Sequence, residues 1–253
     1  ANMTFSGTAL TLANDASISG LTVGRGAGAG ATNTTFGANA LASNSGDNSV
    51  TAIGYNALNA NSSGLYNTAV GFNSALSNTS GADNTAIGRR AFRSNTTGSN
   101  NTAIGSQALD GNTTASNNTA VGYQAAYSNT TGTELTAVGL KSLYSNTTGN
   151  GNSALGLFSL YANSTGAYNT AVGDSALQAN TTASNNTAVG YQAGYSNVTG
   201  TKVTALGSLA AYSSTGGLIT AVGYGTLYGN TTGTFNTALG GGDGSSPATL
   251  QSN

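Results

Sequence analysis

Seven acidic side chains are what this 253-residue chain has for moving a proton near neutral pH: Asp15, Asp47, Asp83, Asp110, Glu134, Asp174 and Asp243. His and Cys are both absent, which excludes Ser–His–Asp and Cys–His nucleophiles and the usual transition-metal ligand sets. Glycosidic hydrolysis needs two carboxylates about 5–10 Å apart. The acids are dispersed along the chain, so the expectation is no enzyme, no catalytic residue, no metal and no cofactor. GGGDGSS at 240–246 offers one carboxylate, too little for a Ca²⁺ loop. The six basic residues, Arg25, Arg89, Arg90, Arg93, Lys141 and Lys202, are too few to neutralise a phosphate backbone or an anionic membrane, so neither nucleic acid nor membrane is an expected partner. Arg89 and Arg90 could meet an acidic sugar, although solvated charges are the plainer reading. Tyr55, Tyr123 and Tyr191 recur at intervals of 68 residues and could stack on a receptor sugar or pack sideways against another chain.

What positions these residues is a period. The glycine of T-A-[VIL]-G recurs at Gly54, Gly71, Gly88, Gly105, Gly122, Gly139, Gly156, Gly173, Gly190 and Gly207, each 17 residues after the last, and Gly37 extends the series backwards. One step shortens to 16 residues at Gly223, where YSSTGG lacks the usual Asn, and Gly240 restores the spacing. Residues 113–139 and 181–207 are the same passage with five changes, one of them Glu134 against Lys202. A charge reversal marks a position that faces water, so the copies preserve a shape. The period divides the chain into a lead-in or capping segment (1–36), the array (37–240) and a Gly/Ser-rich tail (241–253).

Aligned on the glycine, the columns sort by physics. The residue before it is always branched and apolar: Ile53, Val70, Ile87, Ile104, Val121, Val138, Leu155, Val172, Val189, Leu206, Val222 and Leu239. This column is expected to be the core. The residue before that is always alanine, from Ala52 to Ala238, and strand neighbours point to opposite faces. A solvent-facing column has no reason to stay small, so close packing of chain on chain through alanine is favoured over alanine filling a thin interior. Four residues after the glycine a second apolar column holds Leu41, Leu58, Phe92, Leu109, Leu143, Leu160, Leu177 and Leu227. Where Ala or Gly stands there, Leu76, Tyr127, Tyr195 or Tyr212 follows, as if the bend slips by one. Seven residues after the glycine comes Asn44, Asn61, Asn78, Asn95, Asn112, Asn129, Asn146, Asn163, Asn180, Asn197 or Asn230, a file able to hydrogen-bond amide to amide. Arg93 and Asp110 share one column in adjacent coils, which predicts a surface ion pair. N-T-T and N-N-T sequons, as at Asn95 and Asn100, follow from the composition.

Each unit contains Gly, Asn and several Thr or Ser, which disfavours helix, while short β-branched runs between N-T-T-G turn signals favour strands. Charged residues are only 5% of the chain, which suits a linker, yet a linker would not hold the 17-residue register. The fold class is therefore all-β: a parallel β-solenoid of about twelve 17-residue coils. No apolar run approaches the roughly 20 residues that span a bilayer, and the chain reads as soluble. With no cysteine, durability must come from packing and hydrogen bonds.

The T-A-[VI]-G-x-x-A core, preceded by Asn and repeated without interruption, resembles the head repeats of trimeric autotransporter adhesins. Those units are shorter, and the resemblance implies a left-handed parallel β-roll in a three-chain assembly. The longer unit, with GYQA at 122–125, SNTTG at 128–132 and LTVGRGAGAG at 21–30 before the array, is similar to repeats of marine bacteriophage tail-fibre proteins. This implies a structural and adhesive fibre segment on a virion, with a bacterial or environmental extracellular filament as the alternative. The implied partners are copies of itself, as a homotrimer or head-to-tail filament, and a cell-surface glycan or protein receptor. A further alternative is ice binding, because Thr stands three residues before the glycine in every unit except that of Ser153.

Overall fold

The computed structural model describes residues 5–6, 9–10, 16–18, 21–26, 31–46 and 48–241. Asp15, Asp47, Asp243 and the tail after residue 241 lie outside the described residues. The strands are β1 (Phe5–Ser6), β2 (Ala9–Leu10), β3 (Ala16–Ile18), β4 (Leu21–Gly24), β5 (Thr34–Phe36), β6 (Thr51–Ile53), β7 (Thr68–Val70), β8 (Thr85–Ile87) and β9 (Thr102–Ile104). They continue as β10 (Thr119–Val121), β11 (Thr136–Val138), β12 (Ser153–Leu155), β13 (Thr170–Val172), β14 (Thr187–Val189), β15 (Val203–Leu206), β16 (Ile219–Val222) and β17 (Thr237–Leu239). Among the described residues there is no helix.

From β5 to β17 every strand pairs in parallel with the next, equivalent residue against equivalent residue. The chain is thus an all-β parallel solenoid of about twelve coils. At its N-terminal end β4 lies antiparallel on β5 and β3 antiparallel on β4, whereas at the other end β17 pairs, among the described residues, with β16 alone. Outside the strands, most N–H groups point either to the coil ahead or to the coil behind: Leu58 N–H donates to the Ser74 carbonyl, Asn73 N–H to the Tyr55 carbonyl. The backbone is therefore paired between coils even where no strand forms.

Two kinds of bend close each coil. The thirteen glycines of the T-A-[VIL]-G column have φ between 123° and 145°, and a Cβ on Gly122 would lie 2.5 Å from the Gly139 carbonyl oxygen of the next coil. Conformation and stacking both require glycine there. The other corners are left-handed residues at the second, fourth and twelfth places after the glycine, such as Gln107, Leu109 and Asn117 at φ 61°, 49° and 63°. Left-handed Leu is uncommon, and at the fourth place the bend turns its side chain inwards, where Leu41, Leu58, Leu109, Leu143, Leu160 and Leu177 are fully buried. The expected slip of this bend does not occur. Ala75, Ala126, Gly194 and Ala211 keep the same left-handed corner as the leucines, with φ between 47° and 59°.

The interior is narrow, and six columns fill it, as Ala103, Ala108, Leu109, Asn112, Ala115 and Asn118 do in one coil. This corrects two expectations. The branched column Ile53, Val70, Ile87, Ile104, Val121, Val138, Leu155, Val172, Val189, Leu206, Val222 and Leu239 is not the core: every member is half-buried or exposed, with Ile53 at 37% and Leu155 at 44%. The alanine column from Ala52 to Ala238 is not a chain-to-chain contact either, because it faces the interior and is buried within the single chain. The physical reason is space. A three-residue strand puts its middle residue on one side and its neighbours on the other, and the thin coil has room on its inner side only for a methyl group.

Candidate functional site

The array offers three arrangements of side chains: amide ladders inside, a ranked face outside, and a small number of charged and aromatic groupings. The expected Asn file is the first. From Asn78 to Asn180 each side-chain amide donates to the Oδ1 of the Asn one coil earlier, at 2.7–3.1 Å, and also to the carbonyl three residues on, as Asn129 does to Gly132 at 2.9 Å. Asn197 and Asn230 donate to the carbonyls of Gly200 and Gly233, and Asn44 accepts from Asn48. The rest of N-T-T-G follows from the same geometry. The first Thr donates a hydroxyl hydrogen bond to the backbone of the next coil, as Thr96 does to the Thr113 carbonyl at 3.1 Å. The second Thr is exposed, and the glycine leaves room for the next coil: a Cβ on Gly132 would lie 2.6 Å from the Gly149 carbonyl oxygen. The shortened unit keeps Ser214 in the Asn file and a glycine, Gly216, in the glycine file, so the residue it omits is the exposed Thr.

A second amide ladder was not anticipated from the residue columns. Asn67, Asn84, Asn101, Asn118, Asn152, Asn169 and Asn186 stand four residues before the glycine and are buried. Each Oδ1 accepts the backbone N–H of its equivalent in the next coil, as Asn84 accepts from Asn101 at 3.0 Å, and each of the first six donates its amide to a carbonyl of the next coil. The signal was present: Val50, Leu135, Val203 and Ile219 occupy this column in other coils, and a column that alternates Asn with large apolar residues is an interior one.

Outside, Thr and the branched residue of each T-A-[VIL] strand share one face, so two ranks run along the array from β6 to β17. Tyr55, Tyr123 and Tyr191 border these ranks and are all exposed, at 45–51%. Four coils separate each from the next, so they form no continuous platform. Tyr55 stacks on Phe72 at 5.4 Å, and Leu140, Leu157 and Tyr224 extend the same apolar border.

The pairing of Arg93 with Asp110 is present at 3.0 Å, but it is not a surface pair. The Asp110 side chain is only 3% exposed and takes a second guanidinium, from Arg90 at 3.1 Å. Arg89 turns aside towards the Gln107 side chain. Two cations hold one buried carboxylate, which fits a structural role. Glu134 and Lys202 both occupy an exposed left-handed corner, which accommodates either charge. Of the two sequons, Asn95 is buried in the first ladder, while Asn100 is exposed.

Tyrosines also stack in the column five residues after the glycine. Tyr127, Tyr144 and Tyr161 have ring centroids 5.2 Å apart, and Tyr195, Tyr212 and Tyr228 have spacings of 5.0 and 4.9 Å, all within 10° of parallel. Burial first, then the neighbouring phenols, holds the hydroxyls of Tyr144 and Tyr212 above the ordinary tyrosine pKa.

Among the described residues no group of three or more His, Cys, Asp or Glu could hold a metal ion, and no helix is long and apolar enough to cross a membrane. The chain matches no protein-family model, no curated protein and no solved structure.

Proposed function

We propose that this chain is a structural and adhesive segment of a fibre, on a phage tail or capsid or on another extracellular surface, whose copies associate side by side in threes. The observation that carries this reading is the outward rank of Ile53, Val70, Ile87 and their equivalents beside the Thr rank. Isolated exposed apolar residues are ordinary, but a contiguous strip is not. Twelve coils at roughly 4.8 Å make a strip about 58 Å long. At a width of about 10 Å, two such strips would bury on the order of 1,200 Å² in all, the lower end of specific interfaces. A surface that repeats once per coil is matched along its whole length by another surface of the same repeat, and a second copy of this chain has one. End-to-end growth is less favoured, because the N-terminal edge of the parallel array is covered by antiparallel β4 and β3. Tyr55, Tyr123 and Tyr191, at the border of the strip, are the proposed receptor contacts.

Sedimentation equilibrium at neutral pH tests this. The expectation is three times the 24.6 kDa chain mass, and replacing Val121, Val138 and Val172 together by Lys should give folded single chains. A wild-type chain that sediments as a monomer at micromolar concentration defeats the proposal. A neighbouring capsid or baseplate gene would favour the phage setting over the cell surface.

One observation favours ice binding as a second reading. The Thr rank and the branched rank lie on the same outer side of the strand, which gives a regular file of hydroxyls and methyls. The bulky border that includes Tyr55, Phe72 and Arg89 counts against it, since it roughens the plane. Thermal hysteresis measured on the monomeric Lys variant and on wild type decides: neither should depress freezing if the face is a protein contact.

A further inference from the structure

We infer that the two tyrosine stacks are sites of oxidative cross-linking, at which a peroxide-driven one-electron oxidant joins neighbouring coils through dityrosine within one chain. The chain has no cysteine and so no disulfide, and phenol coupling is an oxidative route by which its own side chains can form a covalent staple.

The geometry selects partners. Six of the twelve tyrosines lie in the stacks Tyr127–Tyr144–Tyr161 and Tyr195–Tyr212–Tyr228, where each ring is stacked on another tyrosine ring. Backbone hydrogen bonds hold the coils in register at this level: Ser128 N–H donates to the Tyr144 carbonyl, and Ser196 N–H to the Tyr212 carbonyl, at 3.0 and 2.9 Å. The rings therefore cannot drift apart along the axis, and each already has its coupling partner beside it. All six side chains are partly exposed, so an oxidant can reach them. Like any tyrosine, each phenol is protonated at neutral pH and must lose a proton together with its electron.

The step balances. Each of two neighbouring phenols gives up one electron and its hydroxyl proton to become a phenoxyl radical, and the radicals couple carbon to carbon at the positions ortho to oxygen. The two ortho hydrogens leave as protons that restore the hydroxyls, and one hydrogen peroxide, taking up two electrons and two protons, becomes two waters. The net change is the loss of two hydrogens per link.

The test is to treat the purified chain with a haem peroxidase and hydrogen peroxide, then read dityrosine fluorescence, intact mass and the linked peptides. The expected product keeps the single-chain mass on a denaturing gel, lacks two hydrogens per link, and carries links within the two stacks. Tyr144→Phe should abolish the link in the first stack and leave the second, because Tyr127 and Tyr161 are then two coils, about 10 Å, apart. Tyr212→Phe should do the reverse. Phe keeps the ring, and circular dichroism of each variant confirms that the fold is retained. Links found at Tyr55, Tyr123 or Tyr191 between chains, or no dityrosine where a free tyrosine peptide couples, would overturn the assignment. The fibre reading stands or falls separately, on sedimentation.

Discussion

The inner and outer sides of one three-residue strand make the instructive contrast in this molecule. Ala137 and Val138 are neighbours in β11, yet the smaller is fully buried and the larger is half in solvent. In most sheets the larger apolar residue faces the core, since burial is worth roughly 25 cal/mol per Å² of apolar surface. Here the coil is too thin for that, and the interior is completed by amides that bond from coil to coil. Hydrophobic burial thus supplies less of the cohesion than usual. Repetitive, in-register hydrogen bonding supplies more, and the branched residue that ends each strand is left outside while the leucines of the left-handed corner, such as Leu109, fill the interior.

The contrast can be broken from the inside first. Ala137→Leu places three more carbons where no space exists, and urea unfolding should show a loss of about 3 kcal/mol. A smaller effect separates the two amide columns. Asn129→Ala removes rungs to both Asn112 and Asn146 and should lower stability by about 2 kcal/mol, because buried donors and acceptors lose their partners. Asn118→Leu, in the column where Leu135 already stands one coil later, should lower it by only about 1 kcal/mol in the same measurement. On the outer side, Val138→Thr should leave the stability of the Lys-substituted single chain within about 0.5 kcal/mol. If Val138→Thr proves as damaging as Ala137→Leu, the assignment of inside and outside is wrong.

The duplicated blocks show how much of a coil is legible in residue types alone. Their five differences fall at Ala126/Gly194, Thr130/Val198, Glu134/Lys202, Leu135/Val203 and Val138/Leu206. Two of these pairs occupy left-handed corners that tolerate the exchange, one exchanges apolar residues inside, and one exchanges apolar residues on the outer rank. At the fifth, Thr130 donates its hydroxyl to the next coil, while Val198 has none to give. The Arg90–Arg93–Asp110 group was half legible. Column arithmetic placed Arg93 beside Asp110, but the reach of Arg90 from its left-handed corner and the burial of the carboxylate depend on the path of the turn.

The sequence by itself determined the period, the single 16-residue step, the parallel stacking of equivalent residues, the Asn ladder and the glycine that ends T-A-[VIL]-G in every coil. Those follow from local chemistry repeated: a residue that must bond or clear its own equivalent one coil away is constrained the same way in every coil. What only the tertiary structure decided is which side of the strand is inside. Alternation says that Thr and Val share one face and Ala has the other, but it carries no sign, and hydropathy gives the wrong one. The sign is set by the diameter of the coil, which depends on where all three left-handed corners turn the chain, and no single column records that.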